Sequence, residues 1–213
     1  MYPRAVTRIR TAQRRKPRQQ RAADTVTFLL DATELVLARH GFAAATTNRI
    51  AQATGVSIGT LYHYFPSKEA LIEAVVHRMW AREMDAVRAH ASKLLEGSLE
   101  EGLRAVIGAL VGVMVPRIEL YRRWYAEASH LGQLGHGLGM STEAAGLLRH
   151  ALERHGDAIR PRDLAFAADL VVKTTLAVVR TGARDYEAQA RSGALTEELT
   201  QMLVRYLLVE PGR

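Results

Sequence analysis

The chain has 213 residues, enough for one large domain or a small module fused to a larger one, and either can bury a real core. It contains no cysteine, which excludes disulfide frameworks, cysteine-ligated zinc and thiol catalysis, and its eight histidines are scattered without a His-Glu-x-x-His pair, so no metal site and no cofactor are expected. The formal net charge is +7, yet Arg4, Arg8, Arg10, Arg14, Arg15, Lys16, Arg18 and Arg21 put +8 into residues 1–21 with no acid among them, leaving −1 for everything downstream.

Residues 1–19 combine that charge with Pro3 and Pro17 and lack apolar periodicity, so a disordered basic arm is expected. It reads either as a solvated leader or as an arm in which Arg14, Arg15, Lys16 and Arg18 contact phosphate or a minor groove. A transit peptide is a further alternative. A secretory signal does not fit, because no apolar stretch follows the basic start. The longest apolar run, Ala105–Val115, is shorter than the roughly 20 residues a membrane span needs. No membrane partner and a cytoplasmic location are therefore expected.

From about Gln20 to His40, Val26, Leu29, Leu30, Thr33, Leu35, Val36 and Leu37 recur at three- and four-residue spacing, the signature of an amphipathic helix, which Gly41 ends. Thr46 or Thr47 can cap a short helix through about Ala53 with Ile50 and Ala51 buried. Gly55 then makes a turn, Val56 points inward, and Ser57 caps a second short helix from Ile58 to about Tyr64. Helix, glycine-containing turn, helix is the helix-turn-helix pattern. The second helix is under two turns long and must be held by packing. On it Leu61 and Phe65 share one face with Ile58 at the edge, Gly59 and His63 face the opposite way, and Thr60 and Tyr62 lie on the flanks. Gly59 costs about 1 kcal/mol against alanine in a helix interior. Close approach of another molecule would offset that cost. Pro66 stops the helix and Ser67 caps the next, with Glu69 favourably placed in its first turn. Lys68 is a cation at a positive helix end, which makes sense beside a bound phosphate; a merely solvated lysine is the alternative.

Gly55-Val56-Ser57-Ile58-Gly59-Thr60-Leu61-Tyr62-His63-Tyr64-Phe65, followed by Ser67-Lys68-Glu69-Ala70-Leu71, resembles the helix-turn-helix signature of TetR-type transcriptional regulators. The resemblance runs from about Val26 to Leu71, a quarter of the chain. It implies an all-α fold: a three-helix DNA-binding domain over residues 20–66, and a helical-bundle regulatory and dimerisation domain over 67–213. It implies a ligand-relieved repressor that binds a palindromic operator in double-stranded DNA as a homodimer and answers to a small molecule, which the apolar pocket candidates named below suggest is lipophilic. By position it assigns Thr47, Asn48 and Ser57 to the DNA side, Ile58, Gly59, Tyr62 and His63 to bases, and Thr60, Tyr64 and Lys68 to phosphates. For Tyr64 the periodicity equally allows packing against the first helix. Ile58 stands where many relatives carry a polar residue, so any base contact there is apolar, such as to a thymine methyl.

Downstream, Ser67 to about Leu95 reads as one long helix closed by Gly97, and Leu99 to Val115 as an apolar helix that Pro116 breaks before Arg117–His130. Leu131–Met140, with four glycines, reads as a mobile loop. Helices follow over Ser141–His155, Arg162 to about Arg184 and Ala194–Val209. Leu170, Val171, Val178, Leu199, Met202, Leu203 and Tyr206 are candidates for a two-fold interface, with intramolecular core as the alternative. Trp80, Met84, Met114, Tyr121, Trp124 and Tyr125 are candidates for an effector pocket, although aromatics and methionines at this spacing also make ordinary core. No nucleophile elbow, phosphate loop or paired-carboxylate site is visible, so an enzyme is not expected. A non-specific DNA-coating protein using the arm is the competing reading.

Overall fold

The computed structural model describes residues 18–128 and 136–209. Three helices form the N-terminal unit: α1 (Arg18–Ala44), α2 (Thr47–Thr54) and α3 (Ile58–Tyr64). The remainder comprises α4 (Lys68–Ala89), α5 (Ala91–Glu96), α6 (Leu99–Met114), α7 (Ile118–Arg123), α8 (His136–His155), α9 (Leu164–Asp185), α10 (Glu187–Ser192) and α11 (Ala194–Leu207). Arg14, Arg15 and Lys16 lie outside the described residues, and Arg18 is the first residue of α1.

α1 buries Leu29, Leu30, Thr33, Val36 and Leu37 as the apolar spacing predicts, but Leu35 is 58% exposed, on the opposite side of the helix. Gly41 breaks α1 with φ 79°, a conformation that disfavours any side chain. α4 is shorter than expected. At His90 the backbone leaves helical geometry (φ −116°, ψ 6°) and the imidazole Nδ1 lies 3.0 Å from the Ala86 carbonyl one turn back, so Ala91–Glu96 forms a separate helix. α5 presses against α6 so closely that a Cβ on Gly102 would sit 2.7 Å from the Leu94 Cα.

The Pro116 segment is a 3₁₀ turn, Val115–Arg117, leading into α7 and then a widened π-type turn, Trp124–Ala128. The glycine-rich segment expected as a loop is helical from His136 onward, within α8; residues 131–135 lie outside the described residues. α10 is an addition to the expected set, a turn and a half of helix-favouring residues ended by Gly193 at φ 86°. Leu208 leaves α11 to form an antiparallel bridge with Ile159, and the Arg160 amide donates to the Leu207 carbonyl at 2.8 Å. The core is continuous through the chain, from Leu37, Ile50 and Leu61 to Ile107, Leu152 and Leu207. Among the described residues no helix is long and apolar enough to cross a membrane.

Candidate nucleic-acid interface and ligand cavity

The outward surface of α3 is built by local capping. The Thr46 hydroxyl accepts from the Arg49 amide at 3.2 Å and starts α2. Gly55 closes α2 in the left-handed region, φ 70°. Ser57 Oγ accepts from the Thr60 amide at 3.0 Å and lies 2.8 Å from the Thr60 hydroxyl, fixing the first turn of α3. Leu61 is fully buried and Phe65 nearly so, against Ile50 and the α1 face. This leaves Ile58 (39% exposed), Gly59, Tyr62 (47%) and His63 facing out, with Asn48 exposed and Thr47 half-buried on α2. Tyr62 Oη lies 3.3 Å from Thr47 Oγ1, so the two helices share one polar edge. A Cβ on Gly59 would meet only Ser57 Oγ, at 3.8 Å. No described helix requires a glycine there, and the idea of Gly59 as an internal packing device fails.

Two of the expected phosphate contacts have partners within the chain. Tyr64 is half-buried and packs on the core, its ring edge-on to His63 at 5.2 Å, so it supports the reader from behind. Lys68 Nζ donates to the Phe42 carbonyl at 2.8 Å and approaches that of Ala43 at 3.5 Å. Its charge is placed on carbonyls at the α1–α2 corner, which explains a cation at a helix start without any phosphate.

That corner is gripped from the body. Glu127, in the widened turn, accepts from the Phe42 amide at 2.7 Å and from Arg123 at 3.0 Å, and a Cβ on Gly41 would collide with its carboxylate. Burial alone would raise the Glu127 pKa; the Phe42 amide, Arg123 and the Ala43 amide outweigh it and hold the group below the ordinary range. Phe42 stacks edge-on against Trp124 at 5.5 Å. Further along α1, Glu34 receives Arg78 Nε at 2.8 Å and Arg82 Nη1 at 2.7 Å from α4, with Arg117 Nε 3.6 Å away. Nothing in the sequence pattern marked Glu34 or Glu127, because their partners lie 44 and 85 residues away along the chain.

The body holds a narrow cavity of about 50 Å³ between α4, α5, α6, α8 and α9, walled by Met84, Val87, Leu94, Leu103, Ile107, Leu148, Val172 and other aliphatics. Of the expected pocket residues Met84 alone lines it. Met114, Tyr121 and Trp124 are buried in the core, while Trp80 and Tyr125 are half-buried and pack on it; Tyr121 reaches the wall through its hydrogen bond to Glu83. Among the described residues, the only polar side chains on the wall are Glu83 and Thr175. Glu83 is 4% exposed; its Oε2 accepts from Arg180 Nη2 at 2.6 Å and Nε at 3.1 Å, and its Oε1 from the Tyr121 hydroxyl at 2.9 Å. Burial, followed by the Glu83 charge, pushes the Tyr121 hydroxyl far up, so it stays protonated and donating. Burial raises Tyr125 too; at Arg180 burial is the largest single influence and would lower the pKa, but the Glu83 charge, Tyr125 and the hydrogen bond to Glu83 together outweigh it and keep the guanidinium cationic.

Of the candidate interface residues, Val171, Leu199 and Leu203 are 2–4% exposed in the chain's own core and have no area to offer a partner. Val178 and Tyr206 are half-buried, and Leu170 (40%) and Met202 (48%) are open. Phe166, one of the apolar residues of this helix but not among the interface candidates, is 61% exposed one turn before Leu170.

Comparison with known proteins follows the same division. Residues 29–75 match the family model described as bacterial regulatory proteins, tetR family, and residues 98–207 match the tetracyclin repressor-like C-terminal domain. The chain is 38% identical over 80 residues to the HTH-type transcriptional regulator BetI of Escherichia coli strain K12, an alignment spanning 38% of this chain and 41% of BetI. In fold it is similar to a putative TetR-family regulator from Mesorhizobium loti, with TM-score 0.67 and 21% identity over 89% of this chain and 99% of that one. It is also similar to the ketosteroid transcriptional regulator KstR2 of Mycobacterium tuberculosis, with TM-score 0.64 and 18% identity over 87% and 96% of the two chains.

Proposed function

The chain belongs to the TetR family of bacterial regulatory proteins, and from that premise we propose that it is a homodimeric, sequence-specific DNA-binding repressor. Two copies of α3 enter successive major grooves of a palindromic operator about 34–36 Å apart. The family is one of regulators and not of enzymes. The observation that carries the reading is the two-sidedness of α3: Leu61 and Phe65 lock it into the core, while Ile58, Gly59, Tyr62 and His63 face outward with open space around Gly59. A cytoplasmic location accompanies this function.

The effector enters the α4–α9 cavity, whose aliphatic walls must part beyond the present volume of about 50 Å³ to take it, and favours a dimer whose readers no longer match the operator. By linkage it then binds the DNA-bound form more weakly. The grip of Glu127 and Trp124 on the α1–α2 corner supports such coupling, since it joins the body to the reader directly.

Selection of bound duplexes from a random library, followed by competition between the selected sequence and random DNA, tests the proposal. A palindromic consensus that survives excess random competitor is expected. Binding without sequence preference and with a steep salt slope would replace it with the arm-driven, non-specific alternative.

A further inference from the structure

We propose that the effector is an uncharged lipophile with a single hydrogen-bond donor, and that Glu83 reads that donor. This deepens the assignment of the cavity as a ligand site and rests on it. A carboxylate offers about four lone-pair positions. At Glu83 two are taken on Oε2 by Arg180 and one on Oε1 by Tyr121, which leaves a single acceptor position on Oε1. Glu83 lines the cavity, and Arg180 sits behind it and off the wall.

The charge balance therefore selects the head group. Glu83 and Arg180 already form a neutral pair, one carboxylate and one guanidinium in direct contact. A carboxylate on the ligand would face Glu83 first and be buried without a cation of its own. An ammonium would share Glu83 with Arg180 and leave a net positive charge in an otherwise aliphatic space. A buried charge without compensation is strongly disfavoured. A hydroxyl or an N–H fills the open acceptor position and changes no charge, and Thr175 is the other polar side chain within the wall.

The same atom connects the cavity to the reader. A donor filling the open position on Oε1 shares that oxygen with the Tyr121 hydroxyl and weakens its hold, and Tyr121 lies on α7, one turn before Trp124 and two before Glu127, the residues that hold Phe42.

The test uses the full chain with 1-decanol, decylamine and decanoate as probes below their aggregation limits, with direct binding read by calorimetry in the absence of DNA. Decanol is expected to bind at least about tenfold more tightly than either charged analogue, a difference of roughly 1.4 kcal/mol. Decanoate or decylamine binding as tightly as decanol, or no decanol binding at all, overturns the proposal. Glu83→Gln is expected to erase the discrimination against decanoate. Because that variant leaves Arg180 unpaired and can fail to fold, Val172→Phe, which fills the cavity, provides a second arm: cooperative thermal unfolding with decanol binding abolished is expected, and undiminished binding overturns the site. Operator release is measured separately. Tyr121→Phe is expected to bind decanol while releasing the operator less, and a decanol-binding chain that never recognises an operator would contradict the repressor reading and leave the effector class standing.

Discussion

Gly59 has a stability cost in α3 that no described neighbour explains. Alanine there meets no atom nearer than Ser57 Oγ at 3.8 Å, so Gly59→Ala is expected to raise stability by about 0.5–1 kcal/mol in thermal or urea unfolding. Operator affinity is expected to fall in the same variant. A protein that becomes more stable and binds DNA unchanged would show that nothing approaches that face closely. Tyr62 and His63 are exposed beside it, and replacing either by alanine is expected to reduce discrimination between operator and random DNA by about 1–3 kcal/mol for each base interaction removed, read by competition binding.

Among the elements, α7 with its widened turn connects the most parts of the fold and was the least legible. The helix-turn-helix could be read because each device in it is local: Ser57 caps Thr60 three residues on, and Gly55 turns the chain between α2 and α3. Glu127 offers no such clue, since its carboxylate serves an amide 85 residues away, and Glu83 meets Arg180 across 97 residues. The break at His90 was also hidden, as neither glycine nor proline marks it. Lys68 shows the same limit, because its position at a helix start points to an anion, while its partner within the chain, the Phe42 carbonyl, lies 26 residues away in sequence. Glu127→Gln is expected to loosen the corner by about 1–3 kcal/mol, read as faster amide exchange in residues 41–45 with α8 and α9 unaffected. The pH dependence follows from the lowered Glu127 pKa. A carboxyl depressed in the fold stabilises it fully above its ordinary value of 4.5 and loses that contribution as pH falls through the depressed value. Corner protection in the parent chain should therefore decline below about pH 4.5, and the glutamine variant should show no such step.

For the whole molecule, the exposed apolar residues Phe166 and Leu170 on α9 and Met202 on α11 are the surface we propose for packing of a second copy. Phe166→Glu is expected to leave each chain folded, because the side chain is 61% exposed, and to shift the protein to monomer in sedimentation with weaker operator binding. A dimer that persists would move the interface elsewhere. Sequence could not separate this surface from Val171, Leu199 and Leu203, because apolar periodicity marks both faces of a helix that is buried on one side and uncovered on the other.

The knot at Glu34 has a consequence for how such a dimer measures DNA. Three arginines from α4 and the 3₁₀ turn converge on one carboxylate of α1, so α1 cannot turn against α4 without stranding charge. On the proposed mechanism each reader would then travel as a rigid block, and the effector would change the distance between blocks while each keeps its shape. Half-site preference should be the same with and without effector, and a duplex carrying the same half-sites at a changed spacer length should recover affinity in its presence. The protein would then act as a calliper whose jaws keep their shape while their gap is reset.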